Sequence, residues 1–240
     1  MARITARNMK LFAGGRDISG RVNTSTLTFS SEAPDVTCFG DAYHERLSDG
    51  LKDYEVSFAG FGDFSACQID ATMQALMSSS AWYGWYPNAA TASMRGREVI
   101  GVATNYTING GVEGAIGYSA TITGSKVMLD MSSLVYYENF STGASTNLFD
   151  VDFLVANSGP CWHVFRLLTL TGTNPEITAY IQESADKNTW ATIVSWEGAS
   201  SANRIFAASS ASCSRYRQAV VTLLGTSPSA TFMISSGSAR

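Results

Sequence analysis

The side chains of this 240-residue chain best able to act as base, nucleophile or metal ligand are two histidines, four cysteines and scattered carboxylates. His44 stands beside Glu45 in the charged stretch DAYHERLSDGLKD, where a solvated side chain is expected. His163 alternates with Cys161, Phe165 and Leu167, the period of a strand, so a hydrogen-bonded and partly buried ring is expected there. A triad or general-base site would have to use one of these two rings. Cys38, Cys67, Cys161 and Cys213 form no CxxC pair, which removes zinc-ribbon and dithiol redox motifs and leaves buried free thiols as the expected state. A metal site of Cys161, His163 and Cys213 would need two alternate positions of one strand and a remote third ligand, a sparse pattern. Asp35, Asp41 and Asp49 lack the alternating oxygen spacing and central glycine of a calcium loop. GxSxG, HExxH, P-loop and dinucleotide-glycine patterns are absent. No catalytic residue, metal or cofactor is expected, and a building block or binding module is favoured over an enzyme.

The elements that would position these residues are mostly strands. Charged residues make up 15% and hydrophobic ones 45%, with Ser, Thr, Gly and Ala filling most of the remainder, a composition suited to strands and tight turns. A formal net charge of −4 argues against gripping nucleic acid through clustered Lys and Arg. No apolar run reaches the length of a membrane span, so no membrane partner is expected.

Along the chain, a turn at 13–17 leads through Asp17-Ile18-Ser19-Gly20 to a Thr-rich strand, Val22 to Phe29. Periodicity then disappears from Ser30 to about Asp53, the behaviour of a loop that is functional or ordered by a partner. It resumes at Tyr54 to Phe61, with Tyr54, Val56 and Phe58 on one face and Glu55, Ser57 and Ala59 on the other. Ser65 and Gln68 form a capping box ahead of a helix whose Ile69, Met73, Leu76 and Met77 share a face. The segment Trp82, Tyr83, Trp85, Tyr86, Pro87 reads as a short aromatic connection packed under that helix, with a sugar-stacking platform as the alternative.

The strongest local pattern is a hairpin from Arg97 to Gly124 around Asn109-Gly110-Gly111, residues that accept positive φ. Ile100, Val102, Tyr106 and Ile108, then Val112, Ile116, Tyr118 and Ile122, make its apolar face. Ala103, Asn105 and Thr107, then Glu113, Ala115, Gly117, Ser119 and Thr121, make the other. About 12 residues per strand, roughly 40 Å, is far longer than usual and asks for an extended partner surface. Residues 129–147 read as a linker with at most one short strand around Leu134 to Tyr137. Seven strands then follow between Asp150 and Ser235, separated by turns such as Thr173-Asn174-Pro175 and Asp186-Lys187-Asn188, the spacing of an antiparallel sandwich.

Residues 8–128 resemble the major tail tube proteins of long-tailed bacteriophages. The resemblance rests on DISG, on TLTFSSEAPDVTCFGDAYHERLSDGLKDYEVSFAGFGDF, on the single helix, on WYGWYP and on REVIGVATNYTINGGVEGAIGYSATITGS. It implies a mainly β chain: a tail-tube β-barrel or sandwich domain with one α-helix at 1–128, a linker at 129–147, and an appended antiparallel β-sandwich, decorative in role, at 148–240. It further implies homo-hexameric rings stacked into a tube through which double-stranded DNA passes without specific binding, with tape measure and tail terminator or tip proteins as partners. The location implied is the virion tail, with assembly in the host cytoplasm. Under this reading Glu55, Ser57, Glu113, Ser119 and Thr121 face the lumen, and the loop bearing Asp41, His44, Glu45, Arg46 and Asp49 reaches a neighbouring ring. Residues 1–128 hold 10 basic and 12 acidic side chains, a net of −2, as suits a lining that must not hold DNA.

The second block resembles sandwich domains appended to phage structural proteins. The rival function is a host-surface glycan- or receptor-binding virion protein, for which Trp162, Trp190 and Trp196 are the candidate contacts, with core packing as their ordinary alternative. A small hydrolase using His44 or His163 is the third reading.

Overall fold

The structure, a computed structural model, describes residues 9–33, 35–38, 51–62, 69–87, 95–110, 114–141, 146–154 and 156–239. Among these the chain is mainly β with one α-helix, the class predicted from composition and alternation. In chain order the elements are β1 (Lys10–Ala13), β2 (Arg16–Asp17), β3 (Val22–Ser31), β4 (Lys52–Phe61), α1 (Ile69–Leu76), β5 (Ser80–Tyr86), β6 (Arg95–Asn109), β7 (Gly117–Phe140), β8 (Thr146–Asp152), β9 (Cys161–Ser184), β10 (Ala191–Ala199), β11 (Arg204–Ser210) and β12 (Tyr216–Ala239). They fall into two compact units. The smaller comprises Arg21–Ser80 and Gly101–Lys126; the larger comprises Met1–Gly20, Ala81–Ile100 and Val127–Arg240. The chain of β6 and of β7 belongs partly to each.

In the smaller unit β4 pairs antiparallel with β3 on one side and with β7 on the other. Tyr54, Val56 and Phe58 of β4 are buried, as their alternation predicts, and stand in register with the β7 stretch that buries Tyr118, Ala120 and Ile122. Gly60 lets the start of β3 cross β4, since a Cβ there would stand 1.8 Å from the Arg21 carbonyl oxygen. Helix α1 buries Ile69, Thr72 and Met73. It is tied to β6 by the Tyr106 hydroxyl, which donates to Asp70 Oδ1 at 3.0 Å, and by a backbone bridge between Met77 and Ala103. The capping pair Ser65 and Gln68 lies outside the described residues.

The apolar face expected on β6 needs correction. From Val99 onward the buried residues are Val99, Gly101 and Ala103, whereas Ile100, Val102 and Tyr106 are half-buried and Ile108 is 45% exposed. A Cβ on Gly101 would stand 2.7 Å from both Ile122 Cγ2 and the Thr123 carbonyl oxygen, so close backbone approach selects small residues for the inner face.

In the larger unit the strands run in the order β10-β9-β12-β7-β6-β5-β1-β2, with β8 beside β12 and β11 beside β9. The aromatic connection expected at 82–87 is instead the strand β5, in register with β1 as Leu11↔Trp85 and Ala13↔Tyr83. The linker expected at 129–147 is likewise corrected: residues 129–140 continue β7 and pair with β12 from Ala239↔Leu129 to Ala230↔Phe140. Leu134, Val135 and Phe140 enter the same core as Phe165, Ile177, Val221 and Phe232, so apolar burial holds this stretch in the sheet.

The seven expected strands of the second block are five, because β9 and β12 each run for 24 residues through a predicted break. Thr173-Asn174-Pro175 faces Thr226-Ser227-Pro228 across the pair, where the register shifts. Gly172 and Gly225 take φ of +123° and +122°, and Asn174 and Ser227 take φ of 48° and 50°. Both strands are irregular at the same place and neither reverses, so the turn residues build paired bulges.

Candidate functional site

The register of the smaller unit sets polar side chains side by side. Thr28, Glu55 and Thr123 form one rung across β3, β4 and β7; Thr26, Ser57 and Thr121 form the next; Thr24, Ala59 and Ser119 form the third. Residues directly opposite in antiparallel strands share a face. Four of the sequence-predicted residues, Glu55, Ser57, Ser119 and Thr121, are thus brought onto one surface. The Thr104 hydroxyl extends it to β6, 3.2 Å from the Thr123 hydroxyl and 3.3 Å from the Thr121 carbonyl oxygen. Glu55 is the one charged residue in the three rungs, which carry no Lys or Arg. The threonines of β3 complete this surface, and their alternation at 24, 26 and 28 is the sequence signal for it. Glu113 and the loop residues Asp41, His44, Glu45, Arg46 and Asp49 lie outside the described residues.

On the outer side of this surface, β3 pairs with β4 alone among the described strands. It offers an edge ten residues long, and its Phe29 is 50% exposed. A strand edge of this length can serve as a template for pairing with another strand.

The three tryptophans occupy separate settings in the larger unit. Trp196 packs in the core with ring centroids 5.7 Å from Phe165. Trp162 lies 5.8 Å from Trp82, at the margin of a second cluster containing Phe12, Tyr86 and Met233. Trp190 closes the turn after β9, its Nε1 donating to the Lys187 carbonyl oxygen at 3.2 Å. Core packing accounts for Trp196.

A buried polar network that the sequence did not announce joins β5, β6 and β9 in the larger unit. Arg166 and Glu98 are both wholly buried and form a two-pronged ion pair, Nη1 to Oε1 at 2.5 Å and Nη2 to Oε2 at 2.6 Å. The Tyr86 hydroxyl donates to Glu98 Oε1 at 2.6 Å and lies 3.0 Å from Ser235 Oγ. Arg166 also covers the Phe12 ring at 4.9 Å and donates from Nε to the Gly14 carbonyl oxygen. Burial alone would depress the guanidinium pKa, but the facing Glu98 carboxylate outweighs it and the net shift is upward. The sequence clue was a charged residue inside each of the apolar runs REVIGV and VFRLL.

His163, Cys161 and Cys213 also come together in this unit. His163 is wholly buried; its Nε2 lies 3.1 Å from Ser210 Oγ and 3.8 Å from Cys213 Sγ, and its Nδ1 lies 3.0 Å from Ser236 Oγ. Cys161 and Cys213 are buried and free, whereas Cys38 is exposed. Among the described residues no group of three or more His, Cys, Asp or Glu is placed to hold a metal ion.

No protein-family model and no curated protein matches the chain. Among solved structures it is similar to a chain of the virion of a native gene transfer agent particle, at 14% identity and TM-score 0.45, covering 53% of this chain and 97% of that one. It is also similar to the Dit protein of phage SPP1, described as a hub adsorption apparatus, at 10% identity and TM-score 0.36 over 97% and 99% of the two chains. A further similarity is to the sheath/tube terminator of an extracellular contractile injection system, at 11% identity and TM-score 0.43 over 53% and 97%.

Proposed function

We propose that this chain is a structural subunit of a phage tail, without enzymatic turnover, that self-associates into stacked hexameric rings enclosing a channel for double-stranded DNA. The observation that carries the reading is the cation-free Ser/Thr surface held in register over three strands beside the outer edge of β3, which pairs with β4 alone among the described strands. Pairing that edge with a neighbouring copy would continue the sheet, and a closed ring would leave no edge at all. The surface would then line the lumen. Lacking Lys and Arg, it gives phosphates no counter-charge to exchange for their counterions, so DNA passes without being held. Residues 148–240 would form the outward, decorative part, and tape measure and terminator or tip proteins would be the assembly partners.

Negative-stain electron microscopy at rising protein concentration tests this, with rings and tubes as the expected result. A chain that stays monomeric throughout, even with its tail partners added, overturns it. In assembled tubes, cysteines introduced as S57C and S119C should resist a bulky external thiol reagent; full labelling in intact tubes would remove the lumen assignment.

A further inference from the structure

Cys161 opens β9, paired with Ser210 of β11 on one side and Ser238 of β12 on the other. Beyond Ser210 the chain turns back, and Cys213 forms an antiparallel bridge with Asn157, with both N–H to O distances 2.9 Å. This return brings together two cysteines remote in sequence. Ser210, which pairs with Cys161, has its hydroxyl 3.4 Å from Cys213 Sγ, so the two thiols share Ser210 and Asn157 as neighbours. Asn157 Nδ2 donates to Cys161 Sγ at 3.5 Å and Arg217 Nη2 approaches the same sulfur at 3.9 Å, while His163 Nε2 stands 3.8 Å from Cys213 Sγ. Asn157 and Arg217 also line a cavity of about 220 Å³, together with Asp130, Phe153 and Ser238. A small molecule in that cavity therefore lies against the two residues that hold the Cys161 sulfur.

We propose that Cys161 and Cys213 form an oxidative modification site, which a small peroxide entering from this cavity converts into an intramolecular disulfide. The two sulfurs have different roles. The neighbouring Cys213, with Arg217 and Asn157, holds the Cys161 thiol below its usual range against burial, while Cys161 and burial push Cys213 up, and the donors Asn157 Nδ2 and Arg217 Nη2 both reach the Cys161 sulfur. Cys161 is thus the attacking thiolate. It takes one oxygen of the peroxide: the O–O bond breaks, an S–O bond forms, and hydroxide leaves with the electron pair. Cys213 then passes its proton to His163 Nε2 and attacks the sulfenic sulfur of Cys161. The S–O bond breaks, and the departing hydroxide takes up a proton. Two thiols and one hydrogen peroxide become one disulfide and two waters. The bridge ties the start of β9 to the β11–β12 connection.

The test treats the full-length chain with hydrogen peroxide, followed by non-reducing peptide mapping, intact mass and thermal melting. Expected are a cross-linked peptide pair carrying Cys161 and Cys213, a mass loss of two hydrogens, and a melt raised by several degrees and restored by dithiothreitol. C161S and C213S should each abolish the cross-link, and H163Q should slow its formation by at least ~10-fold. The wild-type peptide map decides the matter even where a variant fails to fold. The proposal is overturned if Cys38 oxidises while Cys161 and Cys213 stay open to alkylation after denaturation. It is also overturned if Cys161 proceeds to sulfinic acid without cross-linking, or if either sulfur joins Cys38 or Cys67 instead.

Discussion

Replacing Glu98 with Gln leaves the size and shape of the side chain almost unchanged but strips the wholly buried Arg166 guanidinium of its counter-charge. Two charge-assisted hydrogen bonds, at 2.5 and 2.6 Å, lose their anionic acceptor, and the Tyr86 hydroxyl bond to Oε1 weakens. Arg166 cannot escape by giving up its proton, because guanidinium deprotonation lies far above working pH. Removing one partner of a buried pair costs about 3–5 kcal/mol, whereas replacing both with apolar residues of similar volume is often neutral or stabilising. E98Q should therefore lower the melting temperature of the larger unit by about 6–20 °C at the ~2–4 °C per kcal/mol typical of this size. The double replacement E98M/R166M should recover most of that loss, a coupling of at least ~2 kcal/mol. Guanidinium chloride unfolding followed by tryptophan fluorescence measures E98Q together with the four members of the cycle, wild type, E98M, R166M and E98M/R166M. An E98Q cost below about 1 kcal/mol, or a double variant as unstable as E98Q, would refute the claim that the carboxylate is there to neutralise a trapped cation.

Three further outcomes follow from the same kind of reasoning. Tyr83 is buried with its hydroxyl unpartnered among the described residues, and burial pushes its pKa up to about 12. The raised folded value means its contribution is intact below pH 10 and lost as pH rises toward 12, so Y83F should flatten the alkaline limb of stability and add about 1 kcal/mol at neutral pH. Asp152, hydrogen-bonded by Arg215, and Asp186, bonded by the backbone N–H groups of Asn188 and Thr189, are both held down at about 2. Their depressed values make their contribution present above about pH 4 and lost as pH falls toward 2. Acid titration of D152N/D186N, followed by circular dichroism, should therefore show a shallower fall over that window than wild type. G60A forces a methyl group into the Arg21 carbonyl and should cost about 1–3 kcal/mol or more by urea titration, with the loss confined to the smaller unit.

Alternation was legible wherever one face of a strand is buried and the other polar. Tyr54, Val56 and Phe58 against Glu55 and Ser57 is such a case, and the long strands expected on either side of Asn109-Gly110 are present but run to 15 and 24 residues against about 12 expected for each. The pattern misled where turn residues were read without their partners. Pro175 and Pro228 resemble strand breakers in one dimension, yet each sits opposite the other's bulge, so the ladder resumes beyond both. Residues 129–140 looked like linker because their Ser and Tyr content hides an apolar set, Leu129, Met131, Leu134 and Val135, that is buried on more than one side.

The chain by itself determined the β class, the single helix, the polar face of β4 and β7, and the lack of familiar catalytic motifs, because composition and side-chain period are local properties. Long-range register was left to the tertiary structure. It aligned Thr26, Ser57 and Thr121 into one rung, set Glu98 against Arg166 in an apolar interior, and carried Cys213 back to Cys161 and His163. Each of these depends on which strands lie side by side and at what offset. That choice minimises exposed apolar area over the whole unit, and no local window of sequence contains it.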